Sequence, residues 1–403
     1  MAREKTMRSE GDFIRINEWL TPISFLYGIV IWVRNRLFDL GILKSRSYDI
    51  PVISVGNITV GGTGKTPHVE YLVNLLQKKS QVGILSRGYK RKSHGYVLAD
   101  DETPMQKIGD EPYQMKQKFP KAYVAVDKKR TRGIDRLCSD EETSDVDVIV
   151  LDDAFQHRYV TPGINILLID YHRLIIYDKL LPAGRLREPL SGKNRADIVI
   201  VTKCPKDLKP MEYRVITKAM NLYPYQHLFF TTIDYGELRP MSHIGPMSPM
   251  SPMSLESLKG KDVLLLTGIA SPKQMLHDLQ PFTDKLHPLT FSDHHQFKRK
   301  DVESINREFA ALPSPKIVIT TEKDAVRLSG VEGLSDEVKQ HLYVLPIEIK
   351  FMLDQQDMFN ENIIGYVRKN SRNSILVKGK NDHKSQNSHR AGNGPRTISF
   401  RNN

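Results

Sequence analysis

The sequence predicts an α/β fold, and three observations carry that expectation. Ten short runs rich in Val, Ile and Leu recur along the chain with little polar alternation, as strands buried on both faces do. Stretches long enough for crossover helices separate them. One run, 51–55, leads directly into a glycine-rich turn and then a helical pattern. The expected strands are 51–55, 81–85, 122–126, 146–151 and 165–169, then 197–201, 227–231, 262–266, 316–320 and 341–345.

At 403 residues the chain has room for two domains. Pro189, Ser191, Gly192 and Asn194 cluster in a way that suggests a boundary near 190–196, leaving five strands on either side. The expected organisation is a polar extension over 1–12, a membrane-associating helical segment over 13–45, a nucleotide-binding domain over 46–192, a second, smaller α/β domain over 193–367 and a disordered basic tail over 368–403. Four Pro-Met-Ser triplets between 240 and 254 read as a flexible surface insertion.

The net charge of +12 is mostly a property of the tail, because residues 366–403 hold nine Lys/Arg against one acidic residue. No nucleic-acid partner is therefore expected of the folded part. Cys138 and Cys204 are too few for a disulfide scaffold and have no metal-ligand spacing, which fits a reducing compartment. The first fifteen residues are charged and polar, so no signal peptide is expected. These features exclude secreted mini-proteins, zinc ribbons, collagens and polytopic membrane proteins.

Residues 19–33, WLTPISFLYGIVIWV, are apolar nearly all round and are followed by Arg34 and Arg36. A spanning helix needs about 20 apolar residues, and this run is shorter. A helix lying in the membrane interface fits, with Trp19, Tyr27 and Trp32 as anchors and the arginines facing headgroups. The competing reading is a helix buried in the protein.

The strongest chemical signal is PVISVGNITVGGTGKTPHVEYLVNLL, residues 51–76. An apolar strand, a glycine-rich turn, Gly64-Lys65-Thr66 and a helix follow one another, which is a P-loop. In such a loop backbone N–H groups converge on phosphates, the lysine reaches the β/γ-phosphates and the hydroxyl binds Mg²⁺. Thr59, Val60, Gly61, Gly62, Thr63, Gly64, Lys65 and Thr66 are thus the candidate nucleotide contacts, with Thr59 where the strict pattern has its first glycine. The strand at 146–151 ends in Asp152 and Asp153, and a strand-end aspartate beside a P-loop suits Mg²⁺. Gly109-Asp110-Glu111-Pro112 reads on composition as a helix start with Asp110 at the cap. Arg87, Arg130, Arg132, Arg185 and Arg187 lie in loops or at helix starts, where any could clamp phosphate. Thr202-Lys203 resembles the base-reading loop of GTPases, but Pro205 stands where that loop needs aspartate.

Taken together, GNITVGGTGKTP, LSRGYKRK, GDEP, LDDAFQHR, LPAGRLREPL, LLLTGIASP, FSDHHQF and TTEKDAVRL resemble, in content and order, the tetraacyldisaccharide 4′-kinase family. The similarity spans about residues 15–365, with Ala154 where the family usually has glycine. The resemblance implies transfer of the γ-phosphoryl of ATP to the 4′-hydroxyl of tetraacyldisaccharide 1-phosphate, giving lipid IVA. It implies that Lys65 holds phosphates and that Thr66, Asp152 and Asp153 organise Mg²⁺. It further implies that Asp110 and His294 form the dyad that activates the hydroxyl, with Glu111 close by to support the metal or Asp110. Arg87, Arg130 or Arg132, and Arg185 or Arg187 would contact phosphates or stabilise the transition state. Asp110 and His294 fall in different predicted domains, so domain closure would assemble the dyad. The expected setting is peripheral, on the cytoplasmic face of the bacterial inner membrane, and the expected state is a monomer.

Overall fold

The computed structural model describes residue 14 and residues 16–241, 251–269, 272–293 and 295–370. The expected extension over 1–12, nearly all of the basic tail and most of the Pro-Met-Ser segment lie outside these residues. So does His294.

The described strands are β1 (Val52–Gly56), β2 (Val82–Ser86), β3 (Val97–Leu98), β4 (Tyr123–Val126), β5 (Val148–Asp152), β6 (Ile164–Asp170), β7 (Ile198–Thr202), β8 (His227–Tyr235), β9 (Arg239–Pro240), β10 (Asp262–Thr267), β11 (Leu286–Thr290), β12 (Lys316–Thr321), β13 (Leu342–Leu345) and β14 (Ile347–Phe351). They form a larger sheet of order β14-β8-β7-β6-β1-β5-β2-β4-β3 and a smaller one of order β11-β10-β12-β13-β9. Both sheets are parallel except where β14, β3 and β9 add antiparallel edges. All ten expected runs are strands. Four more escaped periodicity: β3 and β9 have two residues each, β11 carries Pro288 on an edge, and β14 alternates half-buried with exposed positions.

The break between the sheets does not fall at 190–196. Strands β7 and β8 continue the larger sheet, and β14 with the helix Gln356–Asn370 returns to it from the far end of the chain. The Pro/Gly/Asn cluster instead forms the short 3-10 helix Leu190–Arg195 that leads the long β6–β7 connection into β7, pinned by Lys193 Nζ donating to Met220 O at 2.7 Å and by Gln226 Nε2 donating to Ala196 O at 2.7 Å. The returning helix locks onto the larger sheet through edge-to-face and tilted ring contacts. Phe359 lies 5.4 Å from Phe229 and 4.6 Å from Phe351 between centroids. Each such pair is worth about 0.5–1.5 kcal/mol beyond its buried area. The ends of the Pro-Met-Ser segment are also tied down, since Pro240 lies in β9 and Leu238 exchanges both backbone hydrogen bonds with Met253.

The helix Thr21–Asp39 docks on the larger unit by its small and polar side. Ser24 Oγ donates to Leu180 O at 3.0 Å, Tyr27 Oη to Arg187 O at 2.8 Å and Arg34 Nη2 to Gln156 O at 2.9 Å. Gly28 lies one turn from Ser24, and a Cβ there would come within 2.9 Å of Leu180. Tyr27 and Arg34 therefore face the protein rather than headgroups. The apolar side points away: Phe25, Leu26 and Val30 remain 63–69% exposed, and Ile23, Trp32 and Val33 are exposed as well. This excludes the buried-helix reading within this chain. No helix among the described residues is long and apolar enough to cross a membrane.

The two units meet where the helix Asp110–Lys118 packs on the helix Glu322–Leu328. Lys118 Nζ bridges Glu70, on the helix after the P-loop, at 2.6 Å and Glu322 at 2.8 Å.

Two measurements check this packing. At the end of β1, a Cβ on Gly56 would lie 2.7 Å from Phe155 Cβ and 2.8 Å from Phe155 N. Gly56→Ala should cost about 1–3 kcal/mol in urea denaturation, because neither neighbour can move cheaply. Burial pushes the Glu70 carboxyl up to about 7 against the pull of Lys118. The native state therefore holds this proton more tightly than the unfolded chain. Stability is lost as pH rises from about 4.5 to about 7. Glu70→Gln should gain on the wild type over that window, on the order of 1–3 kcal/mol, when unfolding is followed from pH 5 to pH 8.

Candidate active site

The site is built on the C-terminal edge of the larger sheet, where ligands sit in open α/β folds. Strand β1 runs into residues 57–64 and then the helix Lys65–Leu76. Gly61 and Gly64 take φ of 124° and 78°, a region in which a side chain is strained. Four donors from three places hold the carbonyls of this loop. Gln156 Nε2 donates to Asn57 O, Lys203 Nζ to Gly62 O, and Thr202 Oγ1 to Thr63 O at 3.0 Å. His68 Nδ1 lies 2.7 Å from Gly64 O. A carbonyl only accepts, so Nδ1 carries the proton and Nε2 accepts from Thr231 Oγ1 at 3.1 Å. Burial pushes His68 down to about 4, which keeps it neutral and in this tautomer. In a trans peptide the N–H points opposite to the preceding carbonyl. Turning the carbonyls of Gly62, Thr63 and Gly64 outward thus aims the N–H groups of Thr63, Gly64 and Lys65 inward. The 185–187 segment runs alongside, with Val60 N donating to Arg185 O at 2.8 Å and Arg187 N to Ile58 O at 2.7 Å.

Asp152 and Asp153 follow on β5, adjacent to β1. No helix follows them, and Asp153 takes a left-handed φ of 48°. Asp153 Oδ1 lies 3.5 Å from Lys65 Nζ and 3.7 Å from Arg187 Nη1. This oxygen is buried yet makes no hydrogen bond, which leaves it open to a cation. Burial opposes ionisation of Asp153, but Lys65, Arg187 and Arg130 outweigh it and lower its pKa. Burial pushes Asp152 up to about 6, with Glu111 and Asp153 adding repulsion. Asp152 Oδ2 accepts from Ser86 Oγ at 3.1 Å. Thr66 Oγ1 lies 3.5 Å from Glu111 Oε1. A hydroxyl and two carboxylates fit Mg²⁺, which is commonly held by one or two carboxylates plus substrate phosphates. Among the described residues no three Asp, Glu, His or Cys side chains form a group that could by itself hold a metal ion.

The candidate arginines divide. Arg187 reaches the site, facing Asp153 and Gln156. Arg185 is exposed and touches the P-loop through its carbonyl. Arg87 is exposed just past the end of β2. Arg130 is buried, and its guanidinium donates to Asp127 O and Asp152 O, both at 2.9 Å. It holds the backbone under the aspartate pair. Arg132 forks onto Asp127 at 2.6 and 2.9 Å. Both members of the Arg130/Arg132 pair are therefore engaged by protein groups, where the resemblance had one of them on phosphate.

Asp110 opens the helix Asp110–Lys118, and Gly109, with φ of 97°, is its cap in place of the aspartate. Asp110 Oδ2 accepts from Arg327 Nη2 at 2.7 Å, and Glu111 Oε1 from Lys323 Nζ at 2.5 Å. The expected partner of Asp110, His294, lies outside the described residues. Its neighbour His295 faces Asp301 at 2.9 Å and stacks on Phe291. Sequence reasoning assigned no role to Gln156, His68, Lys203, Lys323 or Arg327. Lys203, discounted as a base reader, braces the loop and pairs with Asp170 at 2.6 Å. The motifs DDAFQH and TTEKDAVRL contain three of the five, so the motifs were visible while the roles were not.

A family model described as tetraacyldisaccharide-1-P 4′-kinase matches residues 16–367. The tetraacyldisaccharide 4′-kinase of Phocaeicola vulgatus is 58% identical over 366 residues, covering 91% of this chain and 99% of that one. That of Bacteroides thetaiotaomicron is 53% identical over 382 residues, covering 93% and 100%. The solved structure of an "apo" form of LpxK from Aquifex aeolicus in complex with ATP superposes with a TM-score of 0.66 at 30% identity, covering 87% of this chain and 98% of that one. With its P-loop, aspartate pair and crevice carboxylates in this arrangement, the chain belongs to the tetraacyldisaccharide 4′-kinase family.

Proposed function

We propose that this kinase transfers the γ-phosphoryl of ATP to the 4′-hydroxyl of tetraacyldisaccharide 1-phosphate, forming lipid IVA. One observation carries the reading. The braced P-loop with Lys65, the Asp152–Asp153 pair and the Asp110–Glu111 pair come together where the two units meet. Lys65 and the loop N–H groups bind the β/γ-phosphates. Thr66, Asp152 and Asp153 would hold Mg²⁺, which supplies neutralisation of the phosphate charge. Arg187 adds a cation on the same side. Asp110 takes the proton of the acceptor hydroxyl as its oxygen attacks phosphorus and the bond to the β-phosphate oxygen breaks, leaving ADP.

The N-terminal helix supports a bilayer-bound acceptor. Its polar side lies on Gln156 and Arg187 of the active site, and its apolar side faces outward. A four-chain lipid leaves the bilayer at a cost of about 0.8 kcal/mol per CH₂, so the enzyme works at headgroup level. We place it peripherally on the cytoplasmic face of the inner membrane, where ATP is available.

In detergent micelles with γ-labelled ATP, label should move to the lipid only with acceptor and Mg²⁺ present. Lys65→Ala and Asp110→Asn should each lose about a hundredfold or more in kcat. Acceptor-independent hydrolysis without lipid product would overturn the kinase reading. Phe25→Glu with Val30→Glu should release the protein from anionic vesicles in a flotation assay while the fold is kept, because both side chains are exposed. Unchanged flotation would refute the membrane assignment.

A further inference from the structure

The larger unit brings four carboxylates to the crevice, Asp110, Glu111, Asp152 and Asp153, and the smaller unit meets two of them with one helix. Lys323 and Arg327 lie four residues apart on Glu322–Leu328, so they share a face. They engage the consecutive residues Glu111 at 2.5 Å and Asp110 at 2.7 Å. Arg327 is buried, and its guanidinium is fixed on its own side first. Nη1 donates to Gly268 O and to Asp324 Oδ1, both at 3.0 Å. Asp324 is itself held by Gly268 N and by Thr321 Oγ1, both at 2.8 Å. From this anchored base Nε and Nη2 both reach across to Asp110 Oδ2, at 3.2 and 2.7 Å. Glu111 N donates to the other oxygen, Oδ1, at 3.1 Å. The torsion of the Asp110 carboxyl is thus set from both oxygens, and one of the two sides belongs to the other unit.

A buried ion pair is a poor way to add stability, because desolvation offsets most of the attraction. Rigid placement of a reacting group is worth far more, since a 1 Å error can cost about a hundredfold in rate. We propose that Arg327 is a positioning residue: it orients the Asp110 carboxylate for the acceptor hydroxyl, and Lys323 holds Glu111 clear of it. The smaller unit then serves the chemical step. This inference rests on Asp110 being the proton acceptor.

The test is a double-mutant cycle on kcat in the micelle assay, with thermal unfolding of each variant as a control. Arg327→Met should lower kcat by about a hundredfold and leave the KM for ATP within about twofold. Arg327→Lys, which keeps a shorter cation, should recover part of the loss. Arg327→Met combined with Asp110→Asn should be no slower than Asp110→Asn alone, because the two act through one group. Losses that multiply would mark Arg327 as merely structural and overturn the proposal. If Arg327→Met does not fold, Arg327→Lys with and without Asp110→Asn closes the same cycle. Wild-type kcat in Arg327→Met beside a slow Asp110→Asn would refute the positioning role alone. Wild-type kcat in Asp110→Asn would refute the proton-acceptor reading and this inference with it.

Discussion

Everything else in the molecule depends on holding a glycine-rich loop still. Eight residues with this composition have no intrinsic reason to keep one shape, since glycine costs backbone entropy wherever it is fixed. Here the carbonyls of Asn57, Gly62, Thr63 and Gly64 each receive a side-chain donor, and the donors come from the β5–β6 loop, the end of β7 and the following helix. The left-handed turns at Gly61 and Gly64 allow the path, while the donors select it. Because a peptide's N–H opposes its carbonyl, fixing the outside of the loop prepares the inside for phosphate. The neutral, buried His68 belongs to the same device: a charged imidazole could not accept from Thr231.

The brace also connects elements that have separate duties. Gln156 holds the loop through its side chain and receives Arg34 of the N-terminal helix on its carbonyl, while Arg187 lies against its amide oxygen. The helix that presents apolar residues outward is therefore anchored close in sequence to the aspartate pair. Its inversion relative to an ordinary surface helix, with small and polar residues inward, comes from that anchoring. Gly28 and Ser24 permit close approach, and the bulky side chains have only the outside left.

Charge organises the crevice. Two aspartates on β5 lie among Lys65, Arg187 and Arg130, and burial splits their behaviour: Asp152 is pushed up to about 6 and Asp153 is lowered. The smaller unit contributes cations to the remaining two carboxylates, and Lys118 bridges Glu70 and Glu322 beside them. Ion pairs thus cross between the units beside apolar packing of Tyr235 and Ile347 on the smaller unit's core, and such pairs are strong when dry and weak when wetted.

Local sequence determined a good deal by itself. Buried parallel strands need unbroken Val/Ile/Leu runs, so ten of the strands, the P-loop and the aspartate pair at the end of β5 were legible as patterns. Short-range rules were decided within a few residues, as with the positive φ at Gly64. What only the tertiary structure decided were matters of long-range pairing. The Pro/Gly/Asn cluster at 190–196 looked like a boundary, but the chain crosses it within one sheet and returns to that sheet more than a hundred residues later. Arg130 and Arg132 look alike in sequence, whereas in the fold Arg130 is buried under the aspartate pair and Arg132 forks onto Asp127. Lys323 and Arg327 lie 212 and 217 residues from Glu111 and Asp110, a separation at which no periodicity reports a contact. Composition and spacing register which residues are apolar and in what order they come. Which cation meets which carboxylate is set by packing two sheets together, and that information exists only in the folded chain.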